Sequence, residues 1–144
     1  MLVSQILKSK ASDQVHTSLP TLLISEAANI LSQKRIGTLV ISRDGKNPDG
    51  ILSERDIVRE LGKRGAGCLT DTVDKLMTTK LVTCSEDDRA DVVLQKMTDG
   101  RFRHMPVLKD GALVGLISLG DVVKARLTEL AMEKDALEGM IMGH

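Results

Sequence analysis

Two serine–aspartate pairs are the residues of this chain best suited to chemistry. Ser53 and Asp56 lie three residues apart, and the same spacing returns 65 residues later in Ser118 and Asp121. Each string, GILSERD and GLISLGD, begins with a glycine and a short aliphatic run, which predicts a buried strand that continues directly into a helix. The serine is then the N-cap and the aspartate the third helical residue, where each can bond free amides of the first turn. Such a helix start also attracts phosphate, especially beside an arginine such as Arg55.

Composition restricts the class of protein that carries these pairs. The chain has 144 residues, of which 42% are hydrophobic and 28% charged, and its only aromatic residue is one Phe, so we expect an ordinary domain with an aliphatic core. Basic and acidic side chains number 20 each, which argues against a nucleic-acid partner. Cys68 and Cys84 are expected to be reduced thiols without a metal site. No apolar run is long enough to cross a bilayer, and we expect a cytoplasmic protein without a membrane partner.

The elements predicted before the first pair recur before the second. Residues 22–34 have the apolar spacing of a helix, and residues 37–41 are a short β-branched strand. In the second half, residues 85–88 (SEDD) form a capping signature, and Gly100 stands where a left-handed C-terminal cap is expected. The predicted fold class is α/β, with two tandem β-α-β-β-α repeats related by a pseudo-twofold axis and small sheets packed with helices. The cleft between the repeats then holds both motif helices.

The repeat also divides the chain. We predict a first repeat with its N-terminal linking helix at residues 1–67, a second repeat at residues 68–130, and a C-terminal helical tail at residues 131–144. Around the start of the tail, Leu127, Leu130 and Leu137 keep helical spacing over too short a stretch for a coiled coil. A helix that packs on its own domain or on a dimer partner is expected.

The duplicated strings, together with RFRHMPV at residues 101–107, resemble a pair of CBS domains, often called a Bateman module. The resemblance spans about residues 1–130. One string alone is unspecific because capping boxes are common, whereas two in register, each after a helix, a strand and a glycine turn, are specific. The resemblance implies a stand-alone regulatory module without catalysis. It also implies an adenine-nucleotide ligand (AMP, ADP, ATP, NAD or S-adenosylmethionine) in the cleft, and a homodimer.

In modules of this family the motif aspartate accepts hydrogen bonds from ribose hydroxyls, and the motif serine lies beside phosphate. By position, the resemblance therefore assigns Asp56 and Asp121 to ribose and Ser53 and Ser118 to phosphate. A carboxylate suits this role because charge-assisted hydrogen bonds are about twice as strong as neutral ones. The adenine is expected between aliphatic walls, with backbone groups at its edge.

The two halves differ around these expected sites. Arg55 is a permanent cation beside the first phosphate position, whereas the second motif has Gly120, which lets a ligand approach closely. Pro106 lacks an N–H, which interrupts the strand ladder and leaves a backbone group for the base. The candidate set is completed by residues near the central strands and at the adenine edge, namely Thr17, Gly37, Thr38, Leu39, Val82, Arg103, His104 and Met105.

Alternatives stay open at this stage. The serine–aspartate pairs can be helix caps only, Arg55 and Arg59 an exposed helix face, and His104 a structural residue. For the whole chain, the main alternative is a ligand-independent dimerisation or interaction module that regulates a partner enzyme or transporter. No Ser-His-Asp arrangement, P-loop, GxGxxG string or metal cluster is recognisable, so no catalytic residue is predicted.

Overall fold

The computed structural model describes residues 1–10 and 15–141 and contains five α-helices and six strands in that part of the chain. Short 3-10 turns at Gly65–Thr70 and Val73–Lys75 join the two halves. None of the described helices is long and apolar enough to cross a membrane. In chain order the elements are α1 (Val3–Ser9), β1 (Thr17–Ser18), α2 (Ile24–Lys34), β2 (Thr38–Ile41), β3 (Gly50–Ser53), α3 (Glu54–Arg64), β4 (Cys84–Ser85), α4 (Ala90–Gly100), β5 (His104–Lys109), β6 (Ala112–Ser118) and α5 (Leu119–Ile141).

Two three-stranded sheets confirm the predicted tandem α/β fold. Their strand orders are β1-β2-β3 and β4-β5-β6, and in each sheet the first strand is parallel and the third antiparallel to the central strand. The registers correspond, because Thr38 pairs with Ser53 in one sheet and His104 with Ser118 in the other. Each sheet then passes without a loop into a motif helix, α3 or α5.

Four helices begin in the same way. The side chain of the third helical residue accepts a hydrogen bond from the backbone N–H before the first turn, which satisfies an amide that the helix cannot reach. The donor and acceptor residues are Leu2 and Gln5, Leu23 and Glu26, Ser53 and Asp56, and Ser118 and Asp121. The motif pairs are therefore capping boxes, as predicted.

Helix α4 differs from the prediction at both ends. Residues 85–88 form a turn, in which the Ser85 N–H donates to Asp88, and α4 begins only at Ala90 after an Arg89 N-cap without a side-chain bond. The capping signature was therefore wrong. The left-handed C-cap is Arg101, with φ of 57°, and not Gly100. Gly100 is the last helical residue, and a Cβ there would collide with the Phe102 ring.

Each hydrophobic core includes residues of a linking segment that comes from the other half of the sequence. Val3 and Ile6 of α1 pack into the core built from β4, α4, β5, β6 and α5. Val73, which follows the first repeat, packs into the core of α2, β2, β3 and α3. The packing therefore crosses the predicted division near residue 67 in both directions.

Cys68 and Cys84 are both buried and unpaired. Burial raises the pKa of the Cys84 thiol to about 12, which keeps it protonated and unreactive. The prediction of free thiols is confirmed for this structure.

Two glycines let the linking segments cross the sheets closely. A Cβ on Gly50 would lie 2.5 Å from Met77 Sδ and 3.1 Å from the Thr78 carbonyl oxygen, and one on Gly115 would lie 2.7 Å from Leu7 Cδ2. These glycines are therefore needed for packing space and not for an unusual backbone angle.

We expect Gly50→Ala to lower the free energy of unfolding by about 1–3 kcal/mol, because the added methyl group must displace Met77 and Thr78. Gly62→Ala, in open space on α3, is the matched control and should be neutral or stabilising by up to about 1 kcal/mol. Urea denaturation measures both changes. Equal effects at the two positions would contradict the packing argument.

A side-chain hydrogen bond joins the two central strands near the pseudo-twofold axis. Thr38 Oγ1 lies 2.9 Å from His104 Nδ1, and these two residues occupy equivalent positions in their repeats. Burial lowers the pKa of His104, and the cations of Lys10 and Arg103 lower it further against the opposing effect of Asp121 and Glu54. The neutral imidazole is thus the form that fits this contact.

Because its folded-state pKa is lowered, His104 binds its proton more readily in the unfolded chain. We therefore expect stability to fall as the pH drops below about 6.5, the ordinary histidine pKa, toward the lower folded value. His104→Gln should reduce this loss, measured as the melting temperature between pH 7 and pH 5. If the melting temperatures of the variant and the wild type fell equally between pH 7 and pH 5, His104 would not be the cause of the loss.

Candidate functional site

Two pockets open between the repeats, one over each motif helix start. The first pocket has a volume of about 520 Å³ and lies over Ser53 and Asp56. Its opposite wall comes from the second repeat and from the segment before β4. The residues that line this pocket include Gly37, Thr38, Ile51, Ser53, Glu54, Arg55, Asp56, Arg59, Lys80, Leu81, Val82, Arg101, Phe102, Arg103 and His104.

The second pocket is its pseudo-symmetric counterpart. It has a volume of about 670 Å³ and lies over Ser118 and Asp121, with walls from α1, the residues before β1 and the residues before β2. Both volumes fall in the range of small-molecule sites, about 300–1,000 Å³. The residues that line this pocket include Leu7, Lys10, Val15, His16, Ile36, Gly37, Thr38, His104, Leu116, Ser118, Asp121 and Lys124.

Of the residues that the structure describes, three belong to both pockets, namely Gly37, Thr38 and His104. The Thr38–His104 contact therefore forms the partition between the two cavities. A ligand that moves this partition in one pocket necessarily changes the wall of the other.

The floor of the first pocket is the start of α3. The Asp56 side chain is buried, and its Oδ2 accepts from the Ser53 N–H at 2.9 Å and from Ser53 Oγ at 3.1 Å. Its Oδ1 accepts from Arg59 Nη2 at 2.6 Å. The Glu54 N–H donates to the Gly37 carbonyl at 2.9 Å, which fixes α3 against the strand opposite.

The floor of the second pocket repeats this geometry with a different cation. Asp121 Oδ2 accepts from the Ser118 N–H and from Lys10 Nζ, each at 2.9 Å. Burial alone would raise the pKa of Asp121, but the Ser118 amide and the Lys10 ammonium outweigh it and hold the pKa below its usual range. Among the residues described, nothing donates to Asp121 Oδ1. The carboxylate therefore stays ionised and keeps acceptor capacity.

The edges of the two pockets differ at one backbone carbonyl. In the first sheet the Val40 N–H donates to the His16 carbonyl at 3.2 Å. In the second sheet the residue equivalent to Val40 is Pro106, which has no N–H, and the carbonyl equivalent to that of His16 belongs to Val82. The Val82 carbonyl in the first pocket consequently lacks the hydrogen bond that its counterpart in the second pocket receives.

Most predicted site residues line these cavities. The first pocket contains Gly37, Thr38, Ser53, Arg55, Asp56, Val82, Arg103 and His104, and the second adds Ser118 and Asp121.

Five predicted residues do not line either pocket. Leu39 and Met105 are fully buried, because successive strand residues point to opposite faces and these two point into the cores. Pro106 is also buried and acts only through its missing N–H. Thr17 and Gly120 are exposed outside the cavities, and His16 lines the second pocket in place of Thr17.

Several lining residues were missed by the sequence analysis, notably Lys10, Lys80 and Arg101. A signal for the lysines exists, because each ends a linking segment, LKSK at residues 7–10 and MTTK at residues 77–80. Within residues 1–10 and 15–141, no group of three or more His, Cys, Asp or Glu side chains has the arrangement of a metal site.

Comparison with known proteins agrees with this architecture. The CBS domain family model matches residues 3–63 and 73–128. The structure is similar to that of a CBS-domain protein from Agrobacterium tumefaciens, with 41% identity, a TM-score of 0.83, and coverage of 88% of this chain and 99% of that one. A CBS domain protein from Pyrobaculum aerophilum, solved in complex with AMP, is 31% identical with a TM-score of 0.78, covering 92% and 99% of the two chains.

Two further similar proteins are a CBS domain pair solved with other adenosine compounds and a plant protein. The CBS domain pair of protein MJ0100, solved with 5′-methylthioadenosine and S-adenosyl-L-methionine, is 28% identical with a TM-score of 0.77, covering 90% and 98% of the chains. A mitochondrial CBS domain-containing protein of Arabidopsis thaliana, CBSX3, is 34% identical over 83% of this chain. The chain spans only 60% of that relative's length. With two matched repeats and this structural likeness, the chain belongs to the CBS domain family as a tandem pair.

Proposed function

We propose that this CBS domain pair is a regulatory, non-catalytic sensor that binds adenosine-containing nucleotides in its two pockets. The observation that carries the proposal is the position of the motif carboxylates. Asp56 and Asp121 each lie at a helix start on the floor of a nucleotide-sized cavity, held there by a backbone amide. The related structures with AMP and with S-adenosylmethionine support an adenosine ligand, and ATP, ADP and NAD belong to the same proposal.

The ribose is assigned to the two carboxylates. Asp121 Oδ1 has no donor among the described residues, so it can accept from a ribose hydroxyl without losing its bond to Ser118. Asp56 bonds Arg59, which is largely exposed and can turn toward solvent or phosphate when a hydroxyl arrives. Phosphate is assigned to the helix starts at Ser53 and Ser118. The first-turn amides of Arg55 and Gly120 have no acceptor among the described residues, whereas the neighbouring amides bond the capping side chains and the strand opposite.

The adenine is assigned to the apolar end of each pocket. Ile51, Leu81 and Phe102 provide this wall in the first pocket, and Leu7, Val15, Ile36 and Leu116 provide it in the second. The Val82 carbonyl, which cannot receive a backbone hydrogen bond from Pro106, suits the exocyclic amino group of adenine, which is a hydrogen-bond donor. We infer that the first pocket binds the base edge more selectively, since the His16 carbonyl is already shared with Val40. A cytoplasmic location stays a prediction.

The proposal is tested by titration calorimetry with AMP, ATP, NAD and S-adenosylmethionine. We expect Asp121→Asn and Asp56→Asn each to weaken binding at its own pocket by about 10- to 100-fold, the loss expected for a hydrogen bond to a charged group. Asparagine retains an oxygen for the Ser118 or Ser53 amide, so the helix start is preserved.

Asp135→Asn, on the exposed part of α5, is the matched control and should bind like the wild type. Because the chain has no Trp or Tyr, ligand retained through purification will also appear as a nucleotide absorption peak. If the Asp56→Asn, Asp121→Asn double variant bound nucleotide with wild-type affinity, the assignment of these two carboxylates to the ribose would be contradicted.

A second candidate function, a dimerisation module that acts on a partner enzyme or transporter, is favoured by the exposed faces of the motif helices. Val58 on α3 is 66% exposed, Leu127 on α5 is 63% exposed, and Val123, the counterpart of Val58, is 39% exposed. Equivalent apolar positions on two pseudo-symmetric helices form a face that can meet its own copy about a twofold axis. We infer that this face binds a second copy of the chain.

Sedimentation equilibrium with and without AMP tests this homodimer. We expect Leu127→Glu to raise the dimer dissociation constant by about tenfold or more, because it places a charge in the apolar contact. Lys134→Gln, an exposed change on the same helix, is the control. A monomer at every concentration, or a dimer indifferent to Leu127→Glu, would rule this face out.

A further inference from the structure

The two pockets carry very different charge. The first is lined by two carboxylates, Glu54 and Asp56, and by five cations: Arg55, Arg59, Lys80, Arg101 and Arg103. Among the described residues, the second is lined by one carboxylate, Asp121, and by two side-chain cations, Lys10 and Lys124. The Met1 ammonium also lies there but pairs with Glu129, and the imidazole of His104 lines both pockets while that of His16 lines only the second. The repeats therefore enclose cavities of similar shape and unequal electrostatic potential.

The two pockets also differ in how many of their cations are already neutralised by an ion pair. In the first pocket Arg59 pairs with Asp56, while the other four cations make no ion pair with any described residue. In the second pocket Lys10 pairs with Asp121 and also donates to the Leu116 carbonyl at 2.8 Å, which leaves Lys124 as the cation without a pair in the described chain. In the first pocket the cations outnumber the carboxylates and repel one another, and a ligand with several negative charges relieves that repulsion.

The sequence repeat accounts for part of this difference. Arg55 corresponds to Gly120 in the second motif, and Arg103 corresponds to Gly37 before the central strand of the first repeat. Neither glycine has a positive φ. A Cβ would lie 3.8 Å from Ser118 Oγ at Gly120 and 3.6 Å from Glu54 Oε1 at Gly37, both ordinary contacts. The backbone thus tolerates side chains there, and the glycines lower the charge without being required by the fold.

We propose that the pockets divide the ligands by phosphate number. The first pocket takes an adenosine di- or triphosphate, whose phosphates meet the arginines in bidentate geometry. The second pocket takes an adenosine compound with at most one phosphate. This inference rests on the proposed nucleotide-sensing function and specifies which ligand class each pocket detects.

Single-pocket variants test the division. Asp121→Asn leaves the first pocket intact, and Asp56→Asn leaves the second. Each is titrated with adenosine, AMP, ADP and ATP in the absence of divalent cations. In Asp121→Asn we expect affinity to rise about tenfold from AMP to ATP, and that gain to shrink between about 50 and about 300 mM NaCl as the charges are screened. In Asp56→Asn the affinities for adenosine, AMP, ADP and ATP should differ from one another by less than about threefold.

Reciprocal exchanges at one pair of positions provide the matched controls. Arg55→Gly in the Asp121→Asn background should remove most of the preference for ATP. Gly120→Arg in the Asp56→Asn background should create one, without a change in the fold measured by circular dichroism. Equal dependence on phosphate number in the two pockets would overturn this inference while leaving adenosine binding intact. Failure of every adenosine compound to bind the wild type would instead overturn the proposed function itself.

Discussion

The bond from the last strand amide to the carboxylate one helical turn ahead is the interaction on which this molecule depends. It joins Ser53 to Asp56 and Ser118 to Asp121, in both cases at 2.9 Å. The bond fixes the angle at which each sheet passes into its motif helix, and it holds a carboxylate at the edge of a cavity, where an unbonded charge would be costly. The same residue therefore stabilises the fold and presents an acceptor to the cavity, so helix capping is compatible with the proposed ligand binding.

Exchange of the linking segments makes the two repeats interdependent. Helix α1 packs into the second core, and the residues around Val73 pack into the first. Each linking segment then contributes a lysine to the pocket over the core on which it packs, Lys10 in the second and Lys80 in the first. With the Thr38–His104 partition between them, neither cavity is complete without both halves of the chain. A ligand bound in one pocket thus contacts elements that support the other.

The spacing of apolar residues predicted the fold well, because the strand and helix periodicities are clear and occur in both repeats. The motif residues were found for the same reason. Lys10 was not found, because its pairing with Asp121 depends on how α1 crosses to the opposite core, which is a long-range contact. Leu39 and Met105 were predicted as site residues near the central strands, yet strand alternation turns them inward. The charge difference between the pockets likewise emerges only when Lys80, Arg101 and the arginines of both repeats are brought to one cavity.

Amide chemical shifts measured while AMP is added test the central claim most directly. Both motif carboxylates are proposed to bind ribose while they hold the Ser53 and Ser118 amides. The account predicts the largest shifts at residues 53–56 and 118–121, together with Thr38 and His104 in the partition. Shifts confined to the exposed end of α5, or no shifts at saturating AMP, would contradict it.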